Sequence, residues 1–341
     1  MRIRDGYILP SSAFVIPRSK IRVCDKDYVQ RPEVGDVIYG KVEYLGQHKS
    51  LENKEGRIHA IYDGTRAIFV FGNRYAPDYY EGFVPDSLTP VVDLLARSGM
   101  VGRVDCKSTL VGDPTKVKVL GYVMNGDKVL NTRDFSKIQP NHTEKKANRA
   151  KMILCIGTCM NSGKSTTAAA CCWGLSTMGH KVRAAKVTGT ASLKDVLLME
   201  DNGAEIVCDF THLGYPATYM LDEAELLHIF NAIDLKYANG PRNFWVVEIA
   251  DGILQRETAM LLKSDDVRSR IHKLIFSAKD AMGCVGGMRI LKDEFGLVPD
   301  AISGLCTSSP LQIRELSGYT EIPVFNSMNR SLDKLSSILL Q

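Results

Sequence analysis

At 341 residues, 45% hydrophobic and 24% charged, the chain has the composition of an ordinary globular protein, which excludes a disordered or fibrous one. Its formal net charge of +4, from 43 Lys and Arg against 39 Asp and Glu, neither requires nor excludes a nucleic-acid partner. The length suggests two domains. Nine cysteines are scattered without any Cys-x-x-Cys pairing, which points to reduced, buried thiols and no zinc site. The charged start, Met-Arg-Ile-Arg-Asp, leads into no apolar signal segment, and no apolar run approaches membrane-spanning length. A cytoplasmic protein with no membrane partner is the expectation.

Residues 1–135 carry short β-branched and aromatic runs at 36–44, 57–62, 67–71 and 116–122, bounded by turn residues. Asp63-Gly64 and Asn125-Gly126 are hairpin-turn signals. Residues 91–97 read as the one helix here. The prediction is a small all-β, barrel-like domain, of the OB or SH3 kind. The run 35–42 is reminiscent of RNA-binding barrels. Tyr62, Phe69, Phe71, Tyr75, Tyr79 and Tyr80, with Arg66 and Arg74, are either a stacking face for RNA or DNA bases or barrel core with a solvated rim. The core reading is preferred. Residues 136–150 are polar and basic and form the expected linker, in which Lys145, Lys146 and Arg149, with Lys151 just beyond, are read as solvated.

From residue 151 onward, apolar runs (152–156, 182–187, 205–210, 244–250, 273–278, 301–306, 323–326) alternate with helical patterns (164–178, 222–236, 256–263, 281–294, 310–317, 330–340). That alternation predicts an α/β domain over 151–341, a mostly parallel, doubly wound sheet with its site at the C-terminal strand ends. Gly157, Thr188, Asp209 and Asp251 fall at such ends.

Residues 157–166 read Gly-Thr-Cys-Met-Asn-Ser-Gly-Lys-Ser-Thr, after an apolar strand and before a helical pattern. This is the setting of a phosphate-binding loop, in which backbone amides and a helix N-terminus face the phosphates. Gly157, Thr158, Asn161, Ser162, Gly163, Lys164, Ser165 and Thr166 are the predicted nucleotide-binding residues. Lys164 would reach the β- and γ-phosphates, and the Ser165 hydroxyl would hold Mg²⁺.

Five residues separate the two glycines, where the common motif has four. In this the loop resembles the Gly-Thr-x-x-x-x-Gly-Lys-[Ser/Thr] loop of dethiobiotin synthetase and its relatives among the SIMIBI-class NTPases. Residues 181–190, Lys-Val-Arg-Ala-Ala-Lys-Val-Thr-Gly-Thr, and 244–252, Phe-Trp-Val-Val-Glu-Ile-Ala-Asp-Gly, are similar to that group's lysine-ended and glutamate-ended strands. The resemblance covers roughly residues 151–341. It implies that Lys186 contacts the transferring phosphoryl group and that Thr188 and Thr190 touch the acceptor. The same region also resembles a little-characterised P-loop family that includes amino-acid N-acyltransferases, which would put the phosphates of coenzyme A in the loop.

Mg²⁺ calls for hard oxygen ligands. Glu248 emerges from the apolar run Phe-Trp-Val-Val, and Asp209 from Ile-Val-Cys; a carboxylate in such a place is costly unless it binds something. With Ser165 they form the predicted metal set, Asp195 and Asp201 competing with Asp209. Lys164, Lys186 and Glu248 are the predicted catalytic residues. Asp251 would orient substrate or a water. The polar segment 209–219 contributes His212 and Tyr219 to the acceptor pocket, with Thr211 and Thr218 beside them. Residues 277–280, Ser-Ala-Lys-Asp, faintly resemble a guanine signature without its Asn, so adenine against guanine stays open with ATP as the default. Gly283, Gly286 and Gly287 mark either a loop at the site or a helix break.

The leading expectation is an ATP- and Mg²⁺-dependent enzyme that transfers a phosphoryl group to a small-molecule acceptor, acting as a homo-oligomer. Alternatives are a regulatory or partner-binding ATPase, a nucleic-acid kinase using the N-terminal barrel, and a coenzyme A-dependent acyltransferase. Cys159 stands where dimer-switch ATPases of the superfamily carry an extra lysine, which argues against that kind of switch.

Overall fold

The computed structural model describes residues 1–3, 6–138 and 148–341. The predicted linker lysines 145 and 146 lie outside the described residues. The chain divides into two compact units. The first comprises Met1–Gln139 with two short excursions from later in the chain, Thr190–Lys194 and Phe210–Met220. The second comprises Pro140–Gly189, Asp195–Asp209 and Leu221–Gln341.

The first unit is built from ten strands: β1 (Val23–Asp25), β2 (Val37–Tyr44), β3 (Ser50–Glu52), β4 (Ile58–Ala60), β5 (Arg66–Phe71), β6 (Tyr80–Phe83), β7 (Val91–Leu94), β8 (Met100–Lys107), β9 (Lys116–Asn125) and β10 (Lys128–Val129). Pairing runs β2–β5–β8–β7–β9 and back to β2, so five strands close into a ring. Among the described strands of this unit, β5 and β8 pair in parallel and the other pairs run antiparallel. Successive side chains of a strand point to opposite faces. Accordingly Ile38, Val42, Phe69 and Phe71 join Val92, Leu94, Val101 and Val117 in one core, while Val37, Tyr39, Ile68 and Val70 face a second. The second core is covered by the N-terminal segment through Ile3, Leu9, Ala13, Val15 and Ile16. With both faces buried, β5 reads Ala-Ile-Phe-Val-Phe rather than alternating with polar residues. Gly40 is required opposite it: a Cβ there would lie 2.6 Å from Val117 and 2.9 Å from the Phe69 ring.

The helix expected over 91–97 is instead β7 and a turn. Val92 and Leu94 point inward at period two, and Asp93 accepts from Lys116 Nζ (2.7 Å) and Val104 N (2.9 Å). Gly99, at φ +83°, turns the chain into β8. The Asn125-Gly126 signal is a hairpin, with Asn125 facing Lys128 across the turn. Asp63-Gly64 is a turn between β4 and β5, which pair with β3 and β2 rather than with each other. The aromatic set named above forms no common face. Phe69, Phe71 and Tyr80 are buried, Tyr80 Oη donates to Gly112 O (2.8 Å), and Arg74 sits buried beside His48 and over the Tyr79 ring.

The second unit holds β11 (Lys151–Gly157), α1 (Lys164–Thr177), β12 (Val182–Lys186), α2 (Leu193–Asp201), β13 (Ile206–Asp209), α3 (Glu223–Tyr237), β14 (Phe244–Glu248), α4 (Arg256–Lys263), α5 (Asp265–Arg268), β15 (Ile271–Ser277), α6 (Ala281–Phe295), β16 (Ala301–Ser303), α7 (Pro310–Ser317) and α8 (Leu332–Leu339). Leu193 and Lys194, the first two residues of α2, fall in the first unit. The sheet is wholly parallel, in the order β13–β12–β14–β11–β15–β16. The chain winds from β11 to one edge, returns through β14, and then passes β11 toward the other edge. Right-handed crossovers therefore place helices on both faces, and the crevice of such a sheet opens where the winding reverses. This is a doubly wound α/β architecture. Residues 301–306 are only partly strand, since 305–307 form a 3₁₀ turn, and 323–326 contribute a single bridge, Val324 to Ile302. The glycines at 283, 286 and 287 lie inside α6, and Gly287 lets the helix close on Phe276, 2.4 Å from where a Cβ would sit. Among the described residues, no helix is long and apolar enough to cross a membrane.

Candidate functional site

The turn after β11 is shaped by its neighbours. Thr158 N donates to Ser277 O (2.9 Å), and Leu305 N to Ser162 O (3.1 Å). Ile253 N donates to Gly157 O (3.0 Å). The loops after β14, β15 and β16 thus grip it from three directions. Two glycines make the grip possible. A Cβ on Gly252 would lie 2.2 Å from Thr158 O, and one on Gly304 would lie 2.3 Å from Ser162 O. Asn161 and Gly163 hold positive φ, +60° and +101°, and turn the backbone into α1.

α1 starts differently from its neighbours. Gly163 offers no side-chain cap, and the first turn has no acidic residue. By contrast Asp222 caps α3, Gln255 caps α4, Asp280 caps α6, Ser309 caps α7 and Ser331 caps α8. The first amides of a helix have no partner within it, and they carry the positive end of its dipole. An uncapped, acid-free start leaves them for an anion.

Strand register aligns the charged residues. Asp209, Lys186, Glu248 and Cys155 are successive neighbours across β13, β12, β14 and β11, so they form one row near the C-terminal edge of the sheet. α1 covers this row: Ser165 Oγ donates to Glu248 Oε1 (3.0 Å). Lys164 is buried and its Nζ donates to Cys159 O (2.8 Å), which holds it over the loop. Lys186 is buried and ion-paired with Asp195 from the first turn of α2. Thr188 Oγ1 accepts from Ala250 N (2.9 Å), fixing the turn after β12 to the one after β14.

The charges act on one another. Burial pushes the Glu248 carboxyl above its ordinary value, and the ammonium groups of Lys186 and Lys164 only partly offset it. Burial pushes Lys164 down, against the pull of Glu248 and Asp251. Burial also opposes the Lys186 ammonium, but Asp195, Glu248 and Asp251 outweigh it and hold this lysine above the usual range. Asp251 sits at φ +63°, a conformation rare for a residue with a side chain, and its charge reaches both lysines.

Lys164, Ser165, Lys186, Thr188, Asp209, Glu248 and Asp251 therefore share the C-terminal edge of one sheet. Gly157, Thr158, Asn161, Ser162, Gly163 and Thr166 form the turn and the helix start beside them. Asp195 joins Lys186, whereas Asp201 lies exposed at the far end of α2. Thr190, His212 and Tyr219 belong to the first unit. There Thr190 bridges Ala217, His212 packs edge-on against Phe14 (4.8 Å), and Tyr219 donates to Glu81 between Tyr75 and Phe83. Asp280 caps α6 through Gly283 N (2.7 Å) and leaves Lys279 exposed. The Lys186–Asp195 pairing was missed in the sequence; the signal was the first-turn acid of a helix placed directly after the lysine-ended strand.

The metal expected from the sequence can be tested against this donor set. Glu248 Oε2 is buried and has no hydrogen-bond partner among the described residues. With the Ser165 hydroxyl at its other oxygen, it offers the hard, partly unsatisfied oxygens that suit Mg²⁺. The residues fit the ion.

No protein-family model matches the chain, and no curated protein matches it. Among solved structures it is similar to the signal recognition particle receptor FtsY from Elizabethkingia anophelis in complex with GDP, at 12% identity and a TM-score of 0.38, over 62% of this chain and 70% of that one. A second structure of FtsY from the same organism matches at 14% identity and a TM-score of 0.35, over 62% and 71% of the two chains.

Proposed function

We propose that region 151–341 is a nucleoside triphosphate- and Mg²⁺-dependent phosphoryl-transfer domain acting on a small acceptor. The observation that carries this reading is the Ser165–Glu248 hydrogen bond flanked by two buried lysines. A serine at a helix start, a carboxylate with a spare buried oxygen, and two ammonium groups at one sheet edge suit a triphosphate better than any neutral ligand. The amides at the start of α1 and Lys164 would bind the β- and γ-phosphates. Ser165 and Glu248, with Asp209 as the second carboxylate, would hold Mg²⁺, which when bound neutralises charge on the phosphate oxygens.

Transfer breaks the bond from the γ-phosphorus to its bridging oxygen and forms one to an acceptor oxygen or nitrogen. Lys186 stabilises the equatorial oxygens during that exchange, at a place where water is excluded by burial. Thr188 and Asp251 orient the acceptor. ATP is the nucleotide expected from the sequence, and GTP is its direct competitor in the test. The test is calorimetric titration of the wild-type chain and Lys164→Ala with MgATP and MgGTP, followed by turnover with a panel of carboxylate, amine and hydroxyl acceptors. The variant should retain the wild-type fold by circular dichroism and lose measurable affinity. Equal affinity in the two proteins would remove the assignment.

A further inference from the structure

We propose that Asp195 is a positioning residue, which fixes the Lys186 ammonium for transfer and takes no part in holding the metal. This rests on the phosphoryl-transfer reading above and assigns a carboxylate that the sequence left among three contenders for Mg²⁺. Two independent features specify where Lys186 lies. The first is the ion pair: Lys186 Nζ meets Asp195 Oδ2, with the two side chains only 10% and 20% exposed. The second is Gly189, at φ +126°. A Cβ there would lie 3.2 Å from Lys186 Cε and 3.0 Å from Ala250 Cβ, so the glycine allows the loop to close over the lysine stem. The stem is thereby confined from one side and the head from another.

The division of labour among the acids follows from their partners. A cation at Asp195 would share its carboxylate with the Lys186 ammonium, a like charge at contact distance. Glu248 instead has one oxygen on a neutral hydroxyl and one without a partner among the described residues. Asp195 thus complements the fixed ammonium, and Glu248 the mobile ion. A buried ammonium that loses its carboxylate is left uncompensated, and it then moves or destabilises its surroundings.

The test is a double-mutant cycle on the full chain with Asp195→Asn, Lys186→Met and the pair together, plus Asp195→Glu. MgATP hydrolysis, Mn²⁺ affinity in the presence of ADP, and thermal unfolding are read for each. Asp195→Asn should lower kcat at least about tenfold with KM for MgATP nearly unchanged, which is the signature of an interaction made in the transition state. Mn²⁺ affinity should stay at the wild-type level, and Asp195→Glu should recover part of kcat. The double variant should be no slower than Lys186→Met alone, because the two residues act as one device. Its melting temperature should recover part of the loss seen in Asp195→Asn. The proposal is overturned if Asp195→Asn weakens Mn²⁺ binding about tenfold, if the two effects multiply, or if it turns over like wild type. A wild-type chain that neither binds nor hydrolyses MgATP removes the transfer reading as well. That outcome is told apart because Lys164→Ala then changes nothing, while the melting cycle still reports whether the pair exists.

Discussion

Ser165 Oγ donates to Glu248 Oε1 at 3.0 Å, tying the first turn of α1 to the mouth of β14. It joins the turn at 157–163 to the row of charged residues at the strand ends. Burial raises the pKa of Glu248, so in the folded chain the carboxyl protonates at a higher pH than in the unfolded one. Ionising it therefore weakens folding as pH rises through the raised value. Glu248→Gln, a permanently neutral mimic, should melt above wild type at pH 8, and the gap should close toward pH 4. It should bind nucleotide yet lose Mg²⁺-dependent turnover by about a hundredfold. A lower melting temperature at pH 8, or wild-type turnover, would contradict these assignments.

Gly304 is a steric prediction. It holds φ +92°, and a Cβ would lie 2.3 Å from Ser162 O and 2.9 Å from both Ala278 N and O. Three backbone contacts leave no flexible group to yield. Gly304→Ala should displace the turn at 157–163, weaken nucleotide binding about tenfold or more, and lower the melting temperature by several degrees. Calorimetry and a thermal melt on the same preparation read both. An unshifted affinity would mean that the loop after β16 does not set the shape of the turn.

His48 gives the first unit a pH signature. Burial first, then the neighbouring charges of Arg74 and Arg97, lower its pKa from 6.5 to about 4. Above pH 6.5 the imidazole is neutral in both states. Between there and about 4 the unfolded chain takes up a proton that the folded chain does not, so stability falls as pH is lowered through that window. The whole effect is roughly 3 kcal/mol. Urea unfolding at pH 7 and pH 4.5, compared with the same pair for His48→Gln, should show a smaller loss in the variant. Parallel losses would remove His48 from the account.

Asp234 is the electrostatic anchor at the opposite end of the sheet. Its carboxylate is ion-paired with Arg149 Nη2 (3.0 Å) and accepts from Arg270 Nη2 (3.1 Å) and Nε, while Arg270 also donates to Ala150 O (3.0 Å). The three charges fix the start of β11. Asp234→Ala would leave two largely buried guanidinium groups facing each other, a loss of about 3–5 kcal/mol. For a domain of this size that corresponds to roughly 10 °C in melting temperature. A change within a degree would show that the guanidinium groups find other partners.

Much of the second unit was legible in the sequence because each element obeys local rules. α4 and α7 have the predicted bounds, 256–263 and 310–317, since a capping Gln or Ser precedes each and the apolar stripe is regular. The row of charged residues was legible one strand end at a time, as an acid or lysine at the end of an apolar run. Its alignment was not, because register is a property of pairing between strands. β7 misled for a physical reason: Val-Val-Asp-Leu-Leu-Ala suits either period, and only the ring of β8 and β9 around it selects two. Thr190 was chosen through the family resemblance, and His212 and Tyr219 for lying in a polar segment between a strand and a helix. Sequence adjacency does not say with which unit an excursion packs, and these pack with the first. Arg149, read as solvated, is instead 8% exposed at the Asp234 anchor, a partner 85 residues away.

The closed circuit β2–β5–β8–β7–β9 has a consequence for truncation. A ring has no terminal strand to peel, so removing any one member leaves two raw edges rather than one. A fragment ending near residue 90 would lack β7, β8 and β9, and would leave β2 unpaired on the edge that β9 covers and β5 on the edge that β8 covers. Such a piece should self-associate rather than persist as half a barrel. Because β2 meets β9 across some eighty residues of sequence, closing the ring carries a large loop-closure entropy.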